Sequence, residues 1–364
     1  MNAAGESGGV QHLATIGRRA RPAGSAAEDE SRQYAARVLT ALGFVVTQEP
    51  FEYSAFPGRF GAPVGGALVA ATVLLSSAMA LASAPAIRVA LSMAVGLVLS
   101  GWFARNMLRD GVSTLPLMRR HGINLVATRA GEPRVWLMAH LDSKSQPIPS
   151  VVRVAGILLL ALGLVIALGA TGVALAGAGA RTLWWGAVLA TGTGALPVLA
   201  SVVGERSPGA VDNASGVAAV LAAAALLDGA TSCGVVLPTA EELGLAGARA
   251  WARAHPRGVV LNCDGVDDEG EVVIMYNQRK PVALVNAICA ASSESARVRR
   301  MPLGLLTDST ALAGAGWEAV TVSHGSLKTL RRIHTAGDSL ASLRGTAIDR
   351  VAAILARAAE ALAS

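Results

Sequence analysis

Four long stretches of this sequence contain no Asp, Glu, Lys or Arg, and they constrain the fold more than any other feature. They cover residues 60–87, 89–104, 154–180 and 182–204. An α-helix needs about 20 residues to cross a bilayer core of roughly 30 Å, and three of the stretches exceed that length. The second reaches it when it is extended to residue 108, with Arg88 and Arg105 directed toward the headgroups. Short turns join the stretches in pairs, so we expect transmembrane hairpins at 61–104 and 151–204.

The composition supports membrane helices over a wholly soluble chain. Hydrophobic residues make up 52% of the 364 residues and charged residues only 15%, which is more apolar than a soluble domain needs. Helices rich in Ala and buried in a soluble core are the alternative, and the second stretch fits it best. The net charge of +6 comes from scattered arginines without a basic stripe, so we expect a lipid bilayer and not a nucleic acid as partner. The three cysteines are too few for a disulfide framework.

The positions of the basic residues predict the orientation of the hairpins. The two hairpin turns hold only Arg88 and Arg181, whereas the outer ends are flanked by Arg59, Arg105, Arg109, Arg119, Arg120, Lys144, Arg153 and Arg206. By the positive-inside rule the rest of the chain is cytoplasmic, unless some of these residues belong to a folded domain. Residues 1–59 contain no apolar signal segment, so we expect the N-terminus to be retained. The 28 Arg against 3 Lys are typical of a GC-rich genome, which favours a bacterial cell membrane.

The remaining segments, 1–60, 105–150 and 205–364, together have the length of one large α/β domain. Short apolar stretches that predict buried strands alternate with helical patterns. The expected strands are 44–53, 123–128, 135–139, 234–237, 259–263, 272–276 and 319–323. The expected helices are 25–42, 214–227 and 245–255, with further helices starting at 282 and 346.

Polar residues at the ends of these strands are candidates for chemistry, because burying them is costly. His140 and Asp142 end the stretch 135–139, and strand alternation places them on the same side. A carboxylate that orients a metal-binding imidazole has this arrangement, and a structural hydrogen bond is the alternative. Asp212 and Asn213 precede the helix at 214–227, where either could simply be an N-cap.

Three further sites complete the set. Glu241 and Glu242 follow the strand 234–237, where one could bind metal while the other moves protons, and a solvated acidic turn is the alternative. Asp264 ends the strand 259–263, where it could also be a surface carboxylate. His334 lies with Asp338 in a glycine-containing loop, where a lone histidine is usually exposed.

In this order the five sites resemble the motifs of the di-zinc aminopeptidases, metallopeptidase family twenty-eight. The matching segments are His140-Leu-Asp142, Gly209-Ala-Val-Asp212-Asn-Ala-Ser-Gly216, Glu241-Glu242-Leu-Gly244, Asp264 and His334-Thr-Ala-Gly-Asp338. Gly24-Ser25, the segment from Asn124 and Thr307-Asp308-Ser309 add to the resemblance. It implies a three-layer α/β/α zinc exopeptidase domain with a mixed, mostly parallel sheet, here interrupted by four transmembrane α-helices in two hairpins.

The resemblance also implies a role for each matching residue. His140 and Asp264 would bind one zinc ion, Glu242 and His334 the other, and Asp212 would bridge both. Glu241 would be the general base. Asp142 would hold His140 by its second nitrogen, and Asp338 would act similarly near His334.

The implied activity is that of a zinc-dependent aminopeptidase acting on peptide substrates. Since the hairpins interrupt the peptidase domain, we expect an active site near the membrane that favours membrane-associated or lipid-modified peptides. The alternatives are a zinc-dependent carboxypeptidase, a glutaminyl cyclase-like enzyme, or a noncatalytic membrane scaffold or receptor on the same fold. Cys263 is expected to be a small buried residue, and His324 either lines a substrate pocket or is structural.

Overall fold

The computed structural model describes residues 8–109, 111–129, 131–302 and 304–364. Residues 1–7 of the predicted first segment lie outside the described residues. The chain forms two compact units, one from residues up to 53 with 119–145 and 205–364, the other from 54–118 and 146–204. The elements are, in chain order, α1 (Gly8–Ile16), α2 (Ala26–Ala41), β1 (Val45–Ser54), α3 (Phe56–Leu81), α4 (Ala86–Arg109), α5 (Gly111–Thr114), β2 (Arg119–Thr128), β3 (Val135–Met138), α6 (Ser150–Leu175), α7 (Arg181–Leu199), a π-helical turn (Ala210–Ser215), α8 (Gly216–Leu226), β4 (Cys233–Leu237), α9 (Ala246–Ala254), β5 (Val259–Val266), β6 (Glu271–Tyr276), α10 (Val282–Ala291), β7 (Arg297–Arg300), α11 (Asp308–Gly314), β8 (Glu318–Gly325), α12 (Leu327–Arg332) and α13 (Ile348–Ala363).

An eight-stranded sheet forms the centre of the first unit, with the strand order β1-β2-β4-β3-β5-β8-β6-β7. The central strands are parallel: β3 pairs with β4 and β5, and β5 pairs with β8. The pairs β2–β4 and β6–β8 are antiparallel. The predicted mixed, mostly parallel sheet is therefore confirmed.

Helices cover both faces of the sheet. Successive residues of its central strands point to opposite sides, so each face contributes to its own core. Leu137 of β3 lies in a core shared with α1, α2, α8, α10 and α13. Its neighbours Trp136 and Met138 lie in a second core, with Trp251 of α9 and Leu312 of α11. The unit therefore has three layers, helices on either side of one sheet.

The second unit contains four helices that are long and apolar enough to cross a membrane. The candidate spans are Phe56–Leu81, Ala86–Met107, Ser150–Leu175 and Arg181–Leu199. The second span has 22 residues, since α4 continues through Arg88 and Arg105, both of which are exposed. Helices α3 and α4 are joined by a short turn, as are α6 and α7, which gives two helical hairpins.

Small residues allow close packing within the second unit. A side chain on Gly194 of α7 would lie 2.7 Å from the backbone oxygen of Gly156 in α6. In the other hairpin, the Ser76 and Ser92 hydroxyls are hydrogen-bonded at 3.1 Å. Close backbone approach at small residues is a common way for membrane helices to associate.

Some predicted boundaries were wrong for identifiable reasons. The helix expected from residue 214 begins at Gly216, because Asp212 and Asn213 have non-helical dihedral angles in the preceding turn. The strand β7 was not expected, since its sequence Arg-Val-Arg-Arg lacks the apolar content of the buried strands and lies at the sheet edge. The short helices α11 and α12 were also missed, because one turn or two of helix carries little hydrophobic periodicity.

Candidate metal centre

Most side chains of the predicted site lie at one edge of the sheet. Since β3 runs parallel to β4 and β5, the carboxyl ends of these neighbouring strands lie together. His140 follows β3, Glu241 and Glu242 follow β4, and Asp264 lies near the end of β5. In open α/β sheets, ligands bind outside the carboxyl ends of the strands, so this edge is a favourable place for a site.

Asp212 reaches the same edge from the turn before α8. Its dihedral angles (φ −113°, ψ 89°) are not helical, and the Asp212–Asn213 peptide bond is cis. The carboxylate of Asp338 accepts hydrogen bonds from the backbone N–H groups of Val211 (2.7 Å) and Asp212 (3.1 Å). Asp338 therefore fixes the backbone that carries Asp212. That Asp338 also acts near His334 stays a prediction.

Asn213 ties this turn to the end of β5. Its Oδ1 accepts hydrogen bonds from the N–H groups of Gly216 and Gly265, each at 3.1 Å, and its Nδ2 donates to the Cys263 oxygen at 2.9 Å. The bond to Gly216 lies at the first residue of α8, whose N-cap is Ser215. Asn213 thus keeps Asp212 beside Asp264.

Asp212 lies between two imidazoles. Its Oδ1 is 3.2 Å from Nε2 of His140, and its Oδ2 is 2.8 Å from Nε2 of His334. His140 Nε2 is also 3.8 Å from Oδ1 of Asp264, and His334 Nε2 is 3.5 Å from Oε1 of Glu242. The structure therefore brings all five predicted metal ligands together, with one oxygen of Asp212 toward each histidine.

Asp142 contacts both the second nitrogen of His140 and the backbone of the two glutamates. The Nδ1 of His140 lies 3.0 Å from the backbone oxygen of Asp142, whereas the Asp142 Oδ1 is 3.6 Å away. The carboxylate also accepts the backbone N–H groups of Glu241 (3.0 Å) and Glu242 (3.2 Å). Asp142 therefore orients His140 through its main chain and the two glutamates through its side chain.

The backbone is strained at two points of the site. Ala240, directly before the glutamates, has a φ of +56°, and His334 has a φ of +64°. Left-handed conformations of residues other than glycine cost on the order of 1–3 kcal/mol each and are concentrated at functional sites. The surrounding hydrogen bonds must hold these two residues in place.

The electrostatics of the site are dominated by buried carboxylates. Burial lowers the pKa of His140, but Glu241, Asp142, Asp212 and Asp264 together raise it well above the ordinary value. Burial raises the pKa of Asp212, yet its contacts with the two histidines bring it well below normal. The pKa of Glu241 is raised well above its ordinary value, first by burial and then by the neighbouring Glu242 and Asp308. The histidines thus lie in an excess of negative charge that a divalent cation would balance.

The donor atoms fit zinc in type and spacing. Two groups each have ligand atoms within 4.8 Å of one another: His140 with Glu241 and Asp264, and Asp212 with Glu242 and His334. Imidazole nitrogen and carboxylate oxygen are the donors that zinc takes in catalytic sites. Oε1 of Glu242 is buried and has no hydrogen-bond partner among the described residues, so a cation would satisfy it.

Sequence reasoning missed Arg21, which supports the backbone of the site. Its fully buried guanidinium donates to the backbone oxygens of Leu141 (3.0 Å), Pro208 (2.7 Å) and Gly209 (3.0 Å). Burial lowers its pKa to about 10. Arg21 joins the loop of His140 to the turn of Asp212, two segments far apart in sequence, which is why no local pattern revealed it.

The sequence patterns assigned no role to two more residues near the site. Lys144 forms an ion pair with Oε2 of Glu242. Asp308, noted only as part of a resembling segment, is fully buried, and burial raises its pKa to about 8. Neither residue belongs to a pattern that metal-ligand spacing would detect.

The remaining histidines lie outside this cluster. His324 is buried, with Nδ1 2.6 Å from the Asp267 backbone oxygen and Nε2 2.8 Å from a guanidinium nitrogen of Arg350. These contacts give His324 a structural role, which is one of the two roles expected from the sequence. His255 stacks on Trp251 and is half-buried. Cys263 is buried, and burial raises the pKa of its thiol.

Comparisons with known proteins identify chains with a similar fold. Residues 190–359 match the model of peptidase family M28. An aminopeptidase from Aneurinibacillus sp. strain AM-1 is similar with a TM-score of 0.56 and 15% identity, covering 96% of this chain and 92% of that one. A zinc aminopeptidase from Bacillus subtilis has a TM-score of 0.55 and 13% identity, with 96% and 93% covered. A glutaminyl cyclase from Porphyromonas gingivalis has a TM-score of 0.51 and 13% identity, with 96% and 94% covered. No curated protein matches the sequence significantly. The chain therefore has an M28-like aminopeptidase fold.

Proposed function

We propose that this protein is a membrane-bound zinc aminopeptidase of family M28 that removes residues from the N-termini of peptides. One observation carries the proposal: Asp212 directs one carboxylate oxygen toward His140 and the other toward His334. A carboxylate shared in this way suits a pair of cations. The family match of residues 190–359 supports a peptide-hydrolysing activity.

Each predicted ligand has a place in this proposal. His140 and Asp264 would hold one zinc ion, Glu242 and His334 would hold the other, and Asp212 would serve both. When bound, a zinc pair polarises the scissile carbonyl and makes water acidic enough to react near neutral pH. Asp142 keeps the backbone of both glutamates fixed, and Asp338 keeps that of Asp212 fixed.

Glu241 is the proton carrier. Burial first, and then the neighbouring Glu242 and Asp308, raise the pKa of its carboxyl group, and a positioned carboxyl group can take up and release a proton. Glu241 accepts the proton of the attacking water and then delivers it to the leaving amine. Its partner Glu242 lies one residue on, so the same turn supplies both a metal ligand and a base.

Helices α3, α4, α6 and α7 cross the membrane in this proposal, with the peptidase unit in the cytoplasm. Their length and apolar composition support it. Membrane-associated peptides are then the expected substrates. A pair of peptides with one sequence, with and without a lipid chain, tests this on the full-length protein in bilayer nanodiscs. Faster cleavage of the lipid-bearing peptide is expected, and equal rates would mean that the helices only localise the enzyme.

A glutaminyl cyclase activity is the second candidate, favoured by the similarity of fold to the cyclase from Porphyromonas gingivalis. Two separate groups of metal-binding side chains favour the peptidase.

One assay separates these activities. The detergent-purified protein, supplied with zinc, is given short peptides with free N-termini, their acetylated counterparts, and a peptide that begins with Gln. Release of amino acids only from free N-termini is expected. Loss of ammonia from the Gln peptide without release of an amino acid would indicate a cyclase. No product from any peptide would contradict both enzymes and favour a noncatalytic scaffold.

A further inference from the structure

Lys144 is a cation placed against a proposed metal ligand. Its ammonium group forms an ion pair with Oε2 of Glu242, and the side chains are 15% and 3% exposed. A divalent cation at Glu242 would therefore have a fixed positive charge as its neighbour. Repulsion between buried charges is poorly screened, so this contact has consequences for metal binding.

The backbone around Lys144 is held in place on both sides. The Ser143 hydroxyl donates to the Ser207 oxygen (3.0 Å) and accepts the N–H of Arg21 (2.9 Å). The Ser145 hydroxyl accepts the N–H of Arg206 at 2.9 Å. Because both flanking residues are anchored, Lys144 extends from a defined position and not from a loose loop.

The two oxygens of Glu242 have different surroundings. Oε2 faces Lys144, whereas Oε1 is buried without a hydrogen-bond partner and lies 3.5 Å from Nε2 of His334. Asp142 holds the Glu242 backbone N–H, which limits rotation of the whole residue. Glu242 thus offers one oxygen to the group of Asp212 and His334, and its other oxygen to Lys144.

We propose that Lys144 is a positioning residue that restricts Glu242 to a single metal-binding oxygen and weakens zinc binding at the Asp212–Glu242–His334 group. This inference rests on the proposed function. His140 contacts the carboxylates of Asp142, Asp212 and Asp264, so the His140–Asp264 group keeps the tighter ion. The two zinc ions therefore differ in affinity, and the weaker one is exchangeable.

Direct measurement of zinc binding tests the inference. The full-length purified protein is titrated with zinc in the presence of a competing chelator, which gives the stoichiometry and both dissociation constants. In Lys144→Met, which keeps a long side chain but removes the charge, the weaker dissociation constant should fall at least about tenfold. The tighter constant should change much less. Lys144→Arg keeps the charge and should stay close to the original protein.

Two results overturn the inference. A weaker constant that is unchanged in Lys144→Met would show that the ammonium does not oppose the metal. A loss of affinity at both sites, together with a lower unfolding temperature, would show that Lys144 only supports the loop. Glu242→Gln identifies the site concerned, since it should lose the same weaker ion. If the original protein binds no zinc at all, the proposed function itself fails.

Discussion

Among single residues, Asp142 links His140 to the two glutamates. One carboxylate accepts two adjacent backbone N–H groups, those of Glu241 and Glu242. Asparagine at this position could accept only one of them, because its NH₂ group would face the other N–H. The two glutamates would then lose their fixed backbone while every proposed ligand remained in the chain.

Asp142→Asn should therefore lower kcat/KM for peptide cleavage by about 10- to 100-fold. Steady-state kinetics on the purified variant measure this. Asp268→Asn is a matched control, because Asp268 also accepts backbone N–H groups, from Arg344 and Thr346, but is only half-buried. A decrease no larger than that of the control would contradict the role given to Asp142.

Glu28 makes the stability of the folded protein depend on pH. It accepts hydrogen bonds from the Thr239 hydroxyl and, at 2.7 Å, from the Gly24 N–H. Burial, followed by the charge of Asp142, raises its pKa to about 7 from an ordinary 4.5. The folded state thus keeps this proton between pH 4.5 and 7 while the unfolded chain releases it. Its contribution to stability is full below pH 4.5 and is lost as the pH rises to 7.

Glu28→Gln removes this titration. The free energy of unfolding of the original protein should fall more steeply from pH 4.5 to 7 than that of the variant, by on the order of 3 kcal/mol across the range. Glutamine can still accept from Gly24 and donate to Thr239, so the fold should persist. Thermal unfolding at a series of pH values measures the slopes, and parallel slopes would refute the assignment.

At the scale of elements, the packing of α6 against α7 depends on glycine. A Cβ atom on Gly194 would lie 2.7 Å from both the Gly156 oxygen and the Leu160 nitrogen, which are backbone atoms that cannot move aside separately. A Cβ on Gly192, two residues earlier in the same helix, would meet nothing within 4 Å. The two glycines therefore face different surroundings.

Gly194→Ala should destabilise the protein by about 1–3 kcal/mol, because the helices must separate. Gly192→Ala should be neutral or slightly stabilising, since alanine is the better helix former. Thermal unfolding of both variants in the same detergent compares them directly. Equal unfolding temperatures would mean that α6 and α7 do not pack through Gly194.

The sequence predicted these elements unevenly. Buried strands such as β3 and β5 and the long apolar helices were predicted because hydrophobic runs mark them. The edge strand β7 and the short helix α12 were not, since their residues are largely exposed. The motifs located His140, Asp212 and the other donors, but Arg21 and Lys144 contact the site through segments distant in sequence. Only the folded chain reveals such contacts.

At the scale of the whole molecule, an exposed native thiol reports the orientation in the membrane. Cys289 is exposed, while Cys233 and Cys263 are buried. If the peptidase unit is cytoplasmic, a membrane-impermeant maleimide should label Cys289 only after cells are permeabilised. An added cysteine at Ala178, in the turn between α6 and α7, should be labelled in intact cells.

Mass spectrometry of the labelled protein locates the modified residue. Cys289→Ser provides the control, because it should abolish labelling of the native chain. Labelling of Cys289 in intact cells would place the peptidase unit outside and reverse the proposed topology. The side of the membrane also decides which peptides the enzyme can meet.

In the proposed mechanism, a zinc site and a separate base, Glu241, together hydrolyse peptides. The most direct measurement is zinc content and amino-acid release for the original protein and Glu241→Gln, purified in parallel. Both proteins should hold two zinc ions per chain, while the variant should release amino acids about 10²- to 10⁴-fold more slowly. A variant that keeps its zinc and its full activity would show that Glu241 is not the base.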